Sequence, residues 1–562
     1  MKAVLLSLLI ASAISGKQPD GDVLFDAMSD ELARSVAQLK IDKHDKPYYI
    51  GYRIDDTDTL DIRASFGAFT EDQESRARML SVDVHVGDYK LDSGNMRRRY
   101  WDEFSDFQKL SLDDDYDAIR HKLWLRTDAA YKNAVENFEN KKAALQQKNL
   151  KERPDDWSKE QPCVLVQSKQ QCLRDRTGWK TRVKNLSSIF KEFPEIRQSN
   201  VTLKELCDTR YFVNNEGSKS RVFEQVCVLT ANGTAQAKDG IKVADSVVIA
   251  AIDEHHMPAD DLLENKIRQL AKRLTLAVDA KECETYQGPV MFEGEAAAEF
   301  FDKTLAPNVV VKRPPDTQRV TEDIGQGRIG HRILPTFISV IDDPALKDAS
   351  GTRFPGGSDV DGQGVPVQQV TLVEKGILKT LLSSRLPTLK VKTSNGHALS
   401  ENSRPRISNL VVQSDAALDS AKMKSKLLEL GKENGLDYVL IVRKLKWAPR
   451  SLSRYGISFD EDGSPSAVDR NDRIRLPSAV DCARLYLADG HEEVVREAEF
   501  APVTMKILRD IAATGNDFQT YSQMDGDTNI TTPSIILRDV EVQKSSIDVD
   551  KPPVLPRPEF QK

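Results

Sequence analysis

The stretch that most constrains this chain is Gly288 to Phe301, GPVMFEGEAAAEFF. The apolar run Val290–Phe292 has the character of a buried strand, and the Ala-rich residues after it favour helix. Glu295 and Glu299 lie four apart, so a helix places both carboxylates on one face. That spacing suits metal ligands or an acid/base pair, and equally a solvated helix edge.

On either side of this stretch the pattern changes. Before it, residues 21–40 carry apolar residues at helical spacing, followed by strand-like runs Tyr48–Ile54, Leu60–Phe69 and Met79–Val86. Asp115 to about Lys148 reads as a long helix whose second half, Asn137–Lys151, is charged enough to project into solvent. Lys151–Pro162 reads as a linker and Trp179–Lys191 as a further helix. Strands are expected at Val201–Cys207, Arg210–Val213, Val222–Ala231 and Val243–Ile252. Asn214–Gly217 forms a turn, and Asp260–Leu276 a helix.

After Phe301 the chain is mostly strand, with hairpins at 367–382 and 481–498. Single strands are expected at Phe337–Ile341, Ile407–Val412, Tyr438–Lys446 and Ile535–Val542. Helices are expected at Ala421–Leu430, stopped by Gly431, and at Thr504–Ala512. The expected class is therefore α+β. An N-terminal mixed α/β-sheet domain (17–285) carries a helical insertion at about 115–195, and a mostly β C-terminal domain (286–546) follows it. A proline-rich tail occupies 547–562.

The first 16 residues have the order of an export signal: Lys2, the apolar run Ala3–Ile10, and Ala11-Ser12-Ala13 as a cleavage site, with Ser15 as a rival. A periplasmic or extracellular location is expected, with no membrane insertion, since no later apolar run approaches the ~18 residues a bilayer needs. In such a compartment disulfides are permitted. Among the six cysteines, Cys163 and Cys172 could close a small loop, and Cys207 and Cys227 could pair across neighbouring strands; other connectivities remain open. With 80 Lys+Arg against 87 Asp+Glu, and no basic domain, nothing calls for nucleic acid.

Several stretches resemble segments of the TldD/PmbA family, the metallopeptidase-related "modulator of gyrase" proteins. ISVIDDPALKDASGTRF, DGQGVPVQQVTLVEKGILKTLL, ISNLVV, LRDIAATGNDF and TTPSIILRDVEV occur in the family's order, and YFVNNEG resembles its strand-NSEG turn. The likeness covers about residues 200–545; 20–110 agree only in layout, and the 115–195 helices look like an insertion. The resemblance implies a zinc centre built on His-Glu-x-x-x-His with a cysteine from the C-terminal part. The metal would activate water and a glutamate would act as general base.

This chain departs from that pattern. Gly294-Glu295-Ala296-Ala297-Ala298-Glu299 keeps the glutamate and neither histidine, and no cysteine follows Cys482. Glu295 is left as the one candidate catalytic residue. No metal or other cofactor is expected, and no cofactor-binding residues are assigned. The fallback is a zinc site of Glu295, Glu299 and His397. The expected role is that of a non-catalytic peptidase-related subunit or peptide-binding protein, with peptide and a zinc-bearing TldD-like subunit as partners. A divergent metallopeptidase is the alternative.

Other motifs fall away. His491-Glu492-Glu493-Val494-Val495 lacks the second histidine of a zinc helix and follows a hairpin turn. His255-His256 reads as a surface loop pair. Asp359–Gly364 reads as a turn, because Gln363 and Val370 stand where calcium ligands are needed.

Overall fold

A computed structural model describes residues 21–96, 108–148, 152–172, 174–315, 326–348, 353–398, 405–446, 473–523 and 528–544. The export signal and the proline-rich tail lie outside the described residues. Among the described residues no helix is long and apolar enough to cross a membrane.

The N-terminal half is built on four long antiparallel strands: β1 (Pro47–Ser65), β2 (Ala68–Val86), β3 (Ile196–Asn214) and β4 (Lys219–Gln236). They lie in the order β2-β1-β3-β4. The β4 edge is shared by Val164–Val166 and by β5 (Lys242–Ala251). On one face Ile50, Tyr52 and Ile54 of β1 pack under α1 (Val23–Gln38) and α2 (Tyr116–Lys148). Further along the same face Leu60, Ile62 and Ala64 pack under α3 (Arg176–Ser188) and α4 (Asp260–Asp279). The even-numbered residues of β1 thus serve two helical covers in turn, as a period-two strand requires. Asp22 caps α1 by accepting from Phe25 N–H and pairs with Arg221.

The C-terminal half stacks two sheets. One has nine strands, among them β6 (Tyr286–Phe292), β10 (Tyr438–Leu445), β11 (Ala479–Tyr486), β12 (Glu492–Arg496), β13 (Ile511–Gly515) and β15 (Ile535–Lys544). The other contains β7 (Ile338–Asp342), β8 (Val370–Glu374), β9 (Asn409–Ser414) and β14 (Asn529–Thr532), and ends at the edge strand Gln519–Ser522. Helix α5 (Glu295–Thr304) lies between the sheets, in a core with Val290, Phe292, Val340, Leu410 and Leu440. Helix α6 (Ser420–Glu433) covers the opposite face of the nine-stranded sheet, against Met291, Val439 and Ile441.

Several local expectations need correction. Strand runs expected to be separate are continuous, at β1 and at β3, because paired Asp and Thr residues inside them do not stop a ladder. The β1–β2 turn falls at Phe66-Gly67, where both residues have positive φ (45° and 76°), as a two-residue hairpin demands. Gly431 lies inside α6 rather than ending it; a Cβ there would meet Val439 at 2.5 Å, so glycine serves close packing. The segment at 504–512 is a 3-10 turn (Met505–Asp510) running into β13, not an α-helix.

The second half of α2 is not solvated throughout. Lys141 is fully buried, its Nζ 2.7 Å from Asp156, and the presumed linker buries Asp156, Trp157 and Ser158. The disulfide joins Cys172 to Cys207, while Cys163 and Cys227 are free. Cys227 lies opposite Glu205 rather than Cys207 in the β3–β4 register and is buried in the core.

The halves interlock through buried polar contacts. The Arg385 guanidinium forks onto Glu216 (2.6 and 2.8 Å), in the Asn214–Gly217 turn, and donates to the Ser158 carbonyl. A Cβ on Gly364 would lie 2.3 Å from the Phe212 ring of β3.

Candidate functional site

Helix α5 starts where the central strand of the nine-stranded sheet ends. β6 is buried from Gly288 to Phe292 and flanked on both edges, parallel to β10 (Val290 opposite Leu440, Phe292 opposite Val442) and antiparallel to β15 (Phe292 opposite Ile535). The chain then turns sharply at Gly294, at φ 56° and ψ −127°, a conformation that side-chain-bearing residues adopt only with strain. Glu293 N–H donates to Val442 O at 2.8 Å, holding the turn to β10. Three consecutive small residues, Ala296–Ala298, are buried, and Phe300 and Phe301 fill the gap between the sheets.

The Glu295 and Glu299 side chains both meet β10. Glu295 Oε2 lies 3.1 Å from Lys444 Nζ, and Glu299 Oε2 accepts Leu445 N–H at 2.8 Å. Lys444 also reaches across to β5, where its Nζ is 3.1 Å from Asp245 Oδ1 and donates to the Ser246 carbonyl. The ammonium thus lies among three oxygens, donating a hydrogen bond to the Ser246 carbonyl and forming ion pairs with Asp245 and Glu295. The lysine side chain is 4% exposed and Asp245 is fully covered, while Glu295 keeps about a third of its surface, 35%, toward solvent.

The β10–β11 register shifts at Lys444, an irregularity of the kind that re-aims side chains. Lys444 turns inward. Its neighbour Arg443 pairs with Glu293 (3.0 Å) and Glu492 (2.8 Å), half-exposed.

Burial pushes the Glu299 carboxyl well above the usual range. The Glu295 charge one turn away adds to this, and Lys444 and the Leu445 N–H only partly oppose it. Burial alone would lower the Lys444 pKa, but Asp245 and Glu295 outweigh it and raise the ammonium above its ordinary value. Arg273 binds Asp245 from the other side, at 2.7 Å. The Tyr521 hydroxyl closes the end of the site. It lies 3.1 Å from where a Cβ on Gly294 would sit, and burial together with Glu295 pushes it up to about 12.

The fallback set is not assembled. His397 is held elsewhere, its Nε2 3.1 Å from Asp342 and its Nδ1 facing Asn395 O at 2.9 Å, both side chains fully covered. Among the described residues the one group of three close His, Cys, Asp or Glu ligands is Cys172, Glu205 and Cys207, and its two sulfurs form the disulfide. The zinc that the resemblance implies does not fit here. Gly294 offers no donor, Glu295 is paired with an ammonium, and Glu299 is bonded to a backbone N–H.

The remaining motifs are structural. Asp361 accepts the N–H groups of Gln363, Val365 and Ala398, which is turn chemistry. His491 pairs with Asp489 (2.6 Å) and stacks on Tyr486, and His256 pairs with Asp253. Sequence reasoning missed Lys444 and Asp245. The available signal was the pair Arg443-Lys444 inside the apolar strand YVLIVRKL, where a buried cation needs an anion.

Comparisons agree with this architecture. Residues 285–441 match the model of the PmbA/TldA metallopeptidase C-terminal domain. The chain is 24% identical over 213 residues to Metalloprotease MJ0996 of Methanocaldococcus jannaschii, a match that spans 36% of this chain and 43% of that protein. The crystal structure of TldE from Thermococcus kodakarensis superposes with a TM-score of 0.58 over 92% of this chain and all of that one, at 13% identity.

Proposed function

Since the chain is a member of the metallopeptidase-related TldD/PmbA family, we propose that it is a non-catalytic one, an exported subunit or peptide-binding protein that holds extended peptide without cutting it. The observation that carries this reading is the ion pair between Glu295 and Lys444. A general base must present a free carboxylate to water beside an electrophile. Glu295 instead neutralises a buried ammonium, and the positions flanking it supply no metal donor.

The frame around the centre still suits a peptide. Gln519–Ser522 is the last strand of its sheet, antiparallel to β14, and its Tyr521 reaches the Gly294 turn. Gln523 N–H bonds Thr528 O, so by antiparallel alternation the backbone groups of Tyr521 face β14 and those of Thr520 and Ser522 point away from it. An extended peptide added there would run past α5 and be held by main-chain bonds. A zinc-bearing TldD-like subunit is the natural partner for cleavage.

The test is to incubate labelled extended peptides with the purified chain, reading binding by fluorescence anisotropy and cleavage by mass spectrometry. Binding without cleavage is expected, weakened by Thr520→Pro, which removes an outward N–H. Cleavage by this chain alone, abolished by Glu295→Gln, would overturn the reading in favour of a divergent metallopeptidase. Absence of binding would overturn the peptide-holding role.

A further inference from the structure

A small cavity opens where the edge of β5 meets the chain leaving β10 and β12. Its volume is about 20 Å³, room for little more than one water-sized group. Lys242 and Ala244 of β5 line it, together with Lys446, Ser478, Arg496 and Glu497. The lining thus carries three cations against one carboxylate, around a space too small for an aromatic ring.

Arg496 is only 5% exposed. Its Nε donates to the Ala280 carbonyl at 3.0 Å, and its Nη2 pairs with Asp239, with Glu282 at 4.0 Å. Nη1 is buried and has no hydrogen-bond partner among the described residues. A buried donor without an acceptor is costly, so an unmet guanidinium nitrogen on a residue that lines a cavity marks a missing acceptor. Burial lowers the pKa of this guanidinium, and Glu497 opposes that only in part.

We infer that the cavity is a site for a small oxyanion, a phosphate or a carboxylate, which Arg496 Nη1 binds with Lys446 and Lys242 beside it. A guanidinium matches the oxygens of either group, and the ammoniums add charge. The β5 edge contributes as well. Ala237 N–H bonds Ile241 O at 2.8 Å, so by antiparallel alternation the backbone groups of Lys242 and Ala244 point away from β4. The Ser246 carbonyl, on that same side, accepts from Lys444, so this side meets the C-terminal half. Glu497 is the one lining group that repels an anion, and Lys446 and Arg496 both act on its charge. A guest held here would touch both halves of the chain.

The test is isothermal titration of the full chain at constant ionic strength in chloride. The probes are inorganic phosphate, and acetyl-trialanine as the free acid and as its C-terminal amide. Saturable binding of about one oxyanion per chain is expected. Arg496→Lys keeps a cation but loses Nη1, and should weaken binding about tenfold or more. Lys242→Glu reverses an exposed charge and should also weaken it; this variant carries the test if Arg496→Lys fails to fold. Glu497→Gln removes the repelling carboxylate and should tighten binding. Binding of the peptide acid but not of its amide identifies a chain terminus as a source of the oxyanion. Phosphate binding with the peptide acid silent identifies a free anion. No saturable binding of phosphate or peptide acid would overturn the inference, as would binding unchanged in both Arg496→Lys and Lys242→Glu. The inference does not rest on the peptide-holding role, because phosphate is read with no peptide present.

Discussion

Replacing Arg385 by methionine tests how the halves are joined. The guanidinium side chain is 1% exposed and makes four short bonds: two to Glu216, at 2.6 and 2.8 Å, and two to the Ser158 carbonyl, at 3.0 and 2.7 Å. It also lies over the rings of Tyr49 and Trp157. Methionine would keep part of the ring contact and leave Glu216, among the described residues, with Tyr89 and Asn214 as side-chain donors. The Ser158 carbonyl would lose both of its bonds to the guanidinium. Breaking a buried pair by removing one partner costs about 3–5 kcal/mol, much of it from the stranded charge.

The double variant Arg385→Met/Glu216→Gln removes that charge as well, so it should recover about 2 kcal/mol of the loss. The assay is urea denaturation of the four members of the cycle, followed by tryptophan fluorescence and by far-UV circular dichroism, because two halves need not unfold together. A loss below about 1 kcal/mol in Arg385→Met would refute the reasoning. So would a double variant as unstable as the sum of the singles.

Two further outcomes follow from other buried groups. His85 lies between Asp83 and Asp92; burial would lower its pKa, but the two carboxylates raise it to about 10, while His85 holds Asp92 down to about 2 against the burial that would raise it. The His85 contribution is complete below its unfolded value near 6.5 and is lost as pH rises through 10. The Asp92 contribution is complete above 3.8 and is lost as pH falls through 2. Melting curves from pH 3 to 10 should therefore plateau at about pH 4–6.5, with an alkaline decline worth about 4 kcal/mol that His85→Gln flattens; an unchanged alkaline limb in His85→Gln counts against the pairing. The Cys172–Cys207 bridge spans 35 residues, so Cys172→Ser should lower stability by about 3–4 kcal/mol in a denaturation series, and an effect below 1 kcal/mol would show that the loop is already ordered in the unfolded chain.

Much of the architecture was legible because burial imposes periodicity. The apolar faces of α1 and α4, the β6–α5 junction and the hairpin at β11–β12 all follow from spacing in the sequence. What escaped was set by partners distant in the chain. Lys141 looks like part of a solvated charge run until Asp156 is folded beside it. Cys207 selects Cys172 because a loop returns to β3, which no local pattern announces. At the centre, Glu295 and Glu299 were readable by their spacing, but their meaning depends on Lys444 and Asp245, which arrive from strands on either side of α5 in the chain. Likewise His397 had an acceptable ligand type and a loop position that fitted; only the fold shows it committed to Asp342.

The long ladder of the N-terminal half has a consequence for how the chain is made. β1 and β2 form a hairpin of two 19-residue strands, yet the other edge of β1 pairs with β3, and Ile50 finds Asn215 only 165 residues later. At about 5–20 residues per second, the ribosome leaves that edge uncovered for on the order of ten to thirty seconds. A bare strand of such length invites pairing with any other chain nearby. The stretch Asp55-Asp56-Thr57-Asp58-Thr59-Leu60-Asp61 lies along the middle of this waiting edge. Its four carboxylates repel a second copy of the same strand; Asp56 is matched within the hairpin by Arg76 and Arg78, and Asp55 gains Arg210 when β3 arrives. An acidic run that looks wasteful in a finished sheet is then a timing device, keeping the nascent hairpin solitary until its own partner has been synthesised.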